Sequence, residues 1–193
     1  MRFGKHSINN AGFTIAELLT VISIISIVSV ISIPSFISWL PNYRLKSAAL
    51  DLFSNFQNAR MRAIQSRGEY AILFNVSAGN YQLVSSGKNK TLEGGESASD
   101  DIIEKTVLLS DYGSGIRYGH GSASKKAALS GGSFSPGDEV SYLDDMAEFN
   151  SRGMANRMGY VYLENSSKST FAVSTPTMAG VVHIKRWNGR EWR

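Results

Sequence analysis

Glu17 offers the most chemistry in this chain. No formal charge follows it from Leu18 to Tyr43. A carboxylate beside so long an apolar run needs a cation or hydrogen-bond donors to be tolerated. A helix N-terminus supplies part of that, about 0.3–1 kcal/mol through its dipole. A cut after Gly12 would supply more, because it frees the α-amine of Phe13 four residues before Glu17. That spacing puts both groups on one helix face, where they can pair within a chain or between neighbours. A second concentration lies at the C-terminus, where His183, Lys185, Arg186, Arg190 and Arg193 interleave with Trp187 and Trp192. Cations contact phosphates and rings stack on bases, so the pattern suits DNA. It equally suits an edge strand kept soluble by cations, with Trp187 in the core.

Catalytic templates find little to hold. The three histidines, His6, His120 and His183, stand in no H-E-x-x-H, and there is no G-x-S-x-G and no cysteine. Gly113, Gly115, Gly119 and Gly121 are mis-spaced for a dinucleotide loop and read as turns. Asp100/Asp101 and Asp144/Asp145 lack the alternating ligands of a calcium loop and read as solvated charges. The expectation is no enzyme, no cofactor and no metal site. With 20 Lys+Arg against 16 Asp+Glu, the net charge of +4 is no nucleic-acid signature by itself, and nucleic acid is not an expected partner.

The elements that position these residues begin with the uncharged run. At about 1.5 Å per residue, Leu18 to Leu40 as a helix spans roughly 35 Å, enough for ~30 Å of bilayer hydrocarbon. Trp39 and Tyr43 stand at its far end, where amphipathic rings favour the lipid–water boundary. Ser23, Ser26, Ser29, Ser32, Ser35 and Ser38 wind around this helix, and each hydroxyl can bond back to a carbonyl one turn earlier. Pro34 and Pro41 lack an amide donor and should kink or open it. Glu17 intrudes between Arg2/Lys5 and the apolar core, so an ordinary secretory signal fits poorly. Positive charges are nearly balanced across the run, with Arg2 and Lys5 before it and Arg44 and Lys46 after, and leave orientation open.

Past Asn42, Leu45, Ala49, Leu52, Phe53, Phe56, Ala59, Ala63 and Ile64 recur at three- and four-residue spacing, with Arg44, Lys46, Asp51, Asn58 and Arg62 between them. This predicts an amphipathic helix over 42–67 with Gly68 as its stop. Beyond it, short runs predict strands at Tyr70–Asn75, Tyr81–Ser85, Thr106–Leu109, Ile116–Tyr118, Glu148–Ser151, Gly159–Leu163, Phe171–Ser174 and Val181–Trp187. Residues 86–101 and 120–138 read as loops. The fold class is α+β: a long N-terminal helix, membrane-spanning over 13–41 and amphipathic over 42–67, packed on an antiparallel β-sheet head over 68–193.

Gly12-Phe13-Thr14-Ile15-Ala16-Glu17-Leu18-Leu19, after a short basic leader and before a long apolar run with Pro34 inside it, resembles the class III signal of type IV pilins and type II secretion pseudopilins. Ala59-Arg60, Ala63-Ile64, Arg67-Gly68, Phe149-Asn150-Ser151-Arg152-Gly153 and the closing run from Ser174 to Trp187 resemble the H-type pseudopilins, the GspH/FimT group. The resemblance implies a pilin-like fold and a leader, residues 1–12, removed by a prepilin peptidase between Gly12 and Phe13. It also implies N-methylation of Phe13, a cytoplasmic N-terminus, a periplasmic head, and pairing of Glu17 with the Phe13 amine of an adjacent subunit during filament assembly. The implied partners are the peptidase, other minor and major (pseudo)pilins, the inner-membrane assembly platform and the membrane itself.

The function implied is a non-enzymatic minor pseudopilin of a type II secretion system. The alternative is a FimT/FimU-like minor pilin of a type IV pilus, for twitching or DNA uptake. Some of that group bind DNA through Gly-Arg-x-Arg near the last strand; the matching Gly180-Val181-Val182-His183 lacks both arginines. Lys185, Arg186, Arg190 and Arg193 are the positions where a DNA contact would form.

Overall fold

Among the described residues a single α-helix, α1 (Ile15–Ser66), comes first and eight short strands follow it in the computed structural model. The structure describes residues 12–92, 100–128 and 130–193. The leader before Gly12, with Arg2, Lys5 and His6, lies outside the described residues. So do 93–99 of the loop expected over 86–101 and Leu129 of that over 120–138. The chain divides into two units, Met1–Trp39 and Leu40–Arg193.

In the first unit α1 is apolar and exposed. Its most apolar window has a mean hydropathy of 2.3 and none of it is buried, so the helix is long and apolar enough to cross a membrane. The hydroxyls of Thr20, Ser23, Ser26 and Ser29 each donate to the carbonyl four residues back at 2.7–2.8 Å. That satisfies them without water, which makes serine tolerable in lipid.

The second unit is built on the other half of α1. Leu45, Ala48, Ala49, Leu52, Asn55, Phe56, Ala59 and Ala63 form its buried stripe; Ile64, expected on that stripe, is half exposed. Small alanines alternate with Leu and Phe, which lets sheet come close while large side chains fill the gaps. The helix ends in a Schellman turn, with Gly68 N–H donating to Ala63 O and Arg67 N–H to Ile64 O. The left-handed residue is Arg67, at φ 54°, and not Gly68. Gly68 instead makes room: a Cβ there would sit 2.8 Å from Ser86 Oγ, which accepts the Glu69 N–H at 3.0 Å and would have to turn away.

Two antiparallel sheets pack on this stripe. The strands are β1 (Tyr70–Asn75), β2 (Asn80–Ser85), β3 (Ile102–Leu108), β4 (Arg117–Tyr118), β5 (Met146–Phe149), β6 (Gly159–Glu164), β7 (Thr170–Thr175) and β8 (His183–Arg186). The first sheet runs β3-β2-β1-β5 and the second β4-β6-β7-β8. Alternation aims Ile72, Phe74, Tyr81 and Leu83 of the first sheet, and Val161, Leu163 and Val173 of the second, into one core with α1. The chain is therefore α+β, as expected, with a two-sheet head.

The register opposes β1 to β2 from Tyr70↔Ser85 to Asn75↔Asn80. Where β3 meets β2 the register slips between Leu83 and Val84. There Glu104 takes Arg62 and the Tyr70 hydroxyl, while Lys105 donates to Asn55 Oδ1 at 3.5 Å. Asn55 is buried yet satisfied, donating to the Tyr81 hydroxyl at 2.8 Å and to Asp51 at 3.2 Å. Asp51, placed by its spacing on the polar side of the helix, also accepts the Tyr112 hydroxyl. Burial pushes both phenols, Tyr81 and Tyr112, above the ordinary tyrosine range.

The other face of the second sheet has its own small core of Ala127, Tyr162 and Ala172, flanked by Phe134, Tyr160 and Trp192. The described residues of the Ser/Gly/Lys-rich stretch 120–138 are irregular, as expected, but they cover this face. Phe134 packs edge-on to Tyr162 at 5.0 Å and in parallel on His120 at 4.0 Å. At the rim of this sheet Glu164, only 7% exposed, is held by Arg117 at 2.6 Å, Gly121 N–H at 2.7 Å and Lys168 at 3.3 Å. Burial works against its charge, but these three donors win and hold the carboxyl below the ordinary glutamate value.

Candidate assembly site at the helix N-terminus

Helix α1 starts at Ile15, so Thr14 is its N-cap and Glu17 its third residue. The Thr14 hydroxyl accepts the Glu17 N–H at 3.2 Å, while Glu17 Oε2 accepts the Thr14 N–H and hydroxyl, both at 2.9 Å. This is a reciprocal capping box, which satisfies N–H groups that no helical carbonyl can reach. Thr14 was missed in reading the sequence for pairing charges. Its signal was present as T-x-x-E directly before the apolar run.

The cap fixes where the carboxylate points. Both Thr14 bonds land on Oε2, and among the described residues Oε1 accepts nothing. Phe13 precedes the cap with its ring 87% exposed, and Gly12 has open space around it. Gly12, Phe13 and Glu17 thus stand close together in the chain at the mouth of the apolar helix, with Oε1 unengaged among the described residues.

Pro34 lies well down the same helix, and α1 runs through Pro34 and Pro41 without interruption. The serine back-bond lengthens to 3.4 Å at Ser35, immediately after Pro34, and Ser38 donates to Ser35 O at 2.9 Å.

The C-terminal cations come together in the second unit. Arg186 and Arg193 exchange backbone hydrogen bonds at 2.6 and 3.0 Å, and Trp187 bridges to Trp192, so 186–193 folds back as a hairpin on the edge strand β8. Trp187 is 6% exposed, packed 5.4 Å from the Trp192 ring. Arg186 lies 6.0 Å over the Phe171 ring, Arg193 pairs with Glu191 at 2.8 Å, and Arg190 is exposed at the turn. Lys185 is half-buried on β8. The tryptophans are thus spent on packing, and the cations line an edge.

Among the described residues there is no group of three His, Asp or Glu that could hold a metal. Asp100 instead accepts the N–H groups of Lys88 and Asn89, and Asp144 pairs with Arg157 at 2.7 Å. A cleft of about 280 Å³ at the end of α1 is lined by Ser66, Tyr70, Ser86, Lys88 and Lys90 among others. Among the described residues it gathers hydroxyls and ammonium groups, with no carboxylate or imidazole in its lining.

No family model matches the chain, and no curated protein matches it. Among solved structures it is similar to the minor pseudopilin EpsH from the Type 2 Secretion System of Vibrio cholerae. The identity is 11% and the TM-score 0.41, over 73% of this chain and 95% of that one. A likeness of that size specifies no activity, partner or machine.

Proposed function

We propose that this chain is a non-enzymatic minor pseudopilin of a type II secretion system. A prepilin peptidase cuts it between Gly12 and Phe13 and methylates the Phe13 amine. The residues from Leu18 to Leu40, bent at Pro34, hold it in the bacterial inner membrane, with the leader cytoplasmic and the head periplasmic. Assembly then replaces catalysis as its activity. The freed Phe13 ammonium of an adjacent subunit meets Glu17, the helices pack, and the heads contact other minor and major pseudopilins above the assembly platform. Two half-buried opposite charges are tolerated together where neither would be alone.

The observation that carries this reading is the helix start. A capping box begins α1 immediately after Gly12-Phe13, holds Glu17 by one oxygen and leaves Oε1 open, at the head of an exposed apolar helix. An acid serving only as a cap needs neither the apolar run nor the free oxygen. In cells carrying the secretion machinery with its major pseudopilin overproduced, the chain is expected in the sheared filament fraction beside that subunit. Its confinement to the membrane pellet would contradict the reading.

The hairpin that gathers Lys185, Arg186, Arg190 and Arg193 favours one second reading, a FimT/FimU-like minor pilin. Duplex DNA binding that falls steeply with salt would favour it.

A further inference from the structure

Three segments of the second unit meet around Arg60. Its Nε donates to Gly153 O at 2.8 Å and its guanidinium reaches Ala179 O at 3.4 Å. Ala155 N–H donates to Met178 O at 3.0 Å, tying the loop after β5 to the loop after β7. At Gly153 (φ +73°) a Cβ would lie 2.6 Å from Ile64 Cδ1, so only glycine lets the loop approach the helix this closely. The surface of this junction carries Met61, Ile64, Met154, Met178 and Val181, all between 40% and 58% exposed.

Unbranched thioethers are adaptable, and methionine and arginine are enriched where proteins meet. Of the acids near this junction, Glu69 accepts Asn156 Nδ2 at 3.3 Å and the Leu92 N–H at 2.8 Å, while two arginines face no carboxylate among the described residues. Arg60 bonds only backbone carbonyls, and Arg152, beside Gly153, makes no ion pair among the described residues. Glu148, which leads into the loop from β5, is engaged by Arg157 and Asn156. We infer that this methionine surface docks an acidic segment of another protein, one that presents apolar side chains flanked by carboxylates. A second copy of the chain fits poorly, because two-fold pairing would set Arg60 and Arg152 against their equivalents. A lipid surface fits poorly because no tryptophan or tyrosine stands on these segments. The inference is independent of leader processing and of filament assembly.

The chain has no cysteine, so Ser151→Cys gives a unique site for an environment-sensitive dye beside the junction. Labelled full-length chain in zwitterionic nanodiscs is titrated with a synthetic peptide of helically spaced leucines flanked by glutamates. Two control peptides carry serines for the leucines or lysines for the glutamates. The acidic leucine peptide is expected to shift the dye, and the controls are not. Met154→Ser with Met178→Ser is expected to weaken binding about tenfold or more, and Arg152→Glu to remove the preference for acidic flanks. Unchanged tryptophan fluorescence establishes that the variants fold. Equal response to all three peptides, unchanged binding by the methionine variants, or a response to anionic vesicles but not to the peptide would overturn the inference.

Discussion

Glu17→Val is expected to be cleaved after Gly12 as readily as the natural chain and to be missing from the sheared filament fraction. In the proposed function the peptidase acts on the backbone before Phe13, and the carboxylate is used only afterwards. On that proposal, without it an incoming Phe13 ammonium would be left without its partner, and removing one member of a desolvated pair is strongly destabilising. A loss of incorporation of about tenfold or more is expected, which corresponds to about 1.4 kcal/mol. The capping box complicates a single substitution, because valine also removes the bonds to Thr14. Two controls separate the roles. Thr14→Ala loses the cap alone, about 0.5–2 kcal/mol of helix stability. Glu17→Gln keeps an N3 side chain able to reach back to the cap but carries no charge. Failure of both Glu17 variants alongside assembly of Thr14→Ala is the expected pattern. Normal assembly of Glu17→Gln would show that capping, not charge, is what Glu17 provides.

Phe56→Ala is expected to lower the stability of the second unit by about 3–5 kcal/mol, the usual loss for an aromatic ring removed from a packed interior. Phe56 has no exposed surface. Its ring meets Phe74 at 6.1 Å, Tyr142 at 6.1 Å and Phe149 edge-on at 6.2 Å, so it joins α1 to β1, to the segment before β5 and to β5 itself. Tyr142 cannot swing in to fill the space, because its hydroxyl is held by the Thr175 side chain and N–H, each at 2.9 Å. Domains commonly have only 5–15 kcal/mol in total, so a large part of the stability would go. Denaturant unfolding of the full chain in nanodiscs, followed by tryptophan fluorescence, reads the change. Leu50→Ala, on the exposed side of the same helix, should shift it by no more than about 0.5 kcal/mol. Equal midpoints for the two variants would mean that the aromatic cluster does not hold the head together.

The parts of the fold visible in the sequence were those written locally. The uncharged run, the 3.6-residue stripe of α1 and the β1–β2 hairpin each carry their pattern within a few residues. What was not visible depends on distant partners. Strand β3 begins at Ile102, four residues before the predicted start, because Glu104 and Lys105 interrupt the apolar alternation. They sit where the register slips and bind Arg62, Tyr70 and Asn55, which no local pattern shows. Asp51 has polar spacing on α1, but Tyr81 and Tyr112 arrive from elsewhere to bond it. The division into two sheets rests on pairings such as Arg117↔Glu164, far apart in the chain. The small core under 120–138 was hidden by serines, glycines and lysines surrounding Ala127 and Phe134.

At the N-terminus, the types and spacing of Gly12, Phe13 and Glu17 were enough to suggest pairing chemistry. The role of Thr14 is equally local, a threonine three residues before a glutamate, but it is a capping signal and carries no charge to mark it. At the C-terminus the two readings of the cations could not be separated from sequence, since both need basic residues between tryptophans. Burial of Trp187 assigns that ring to packing.

The most direct measurement is the intact mass of the chain purified from membranes of cells that contain an active prepilin peptidase. The account predicts a polypeptide that begins at Phe13 and carries one methyl group on its α-amine. A chain that keeps Met1 through Gly12 would contradict it, because no ammonium would then exist at Phe13 for Glu17 to meet.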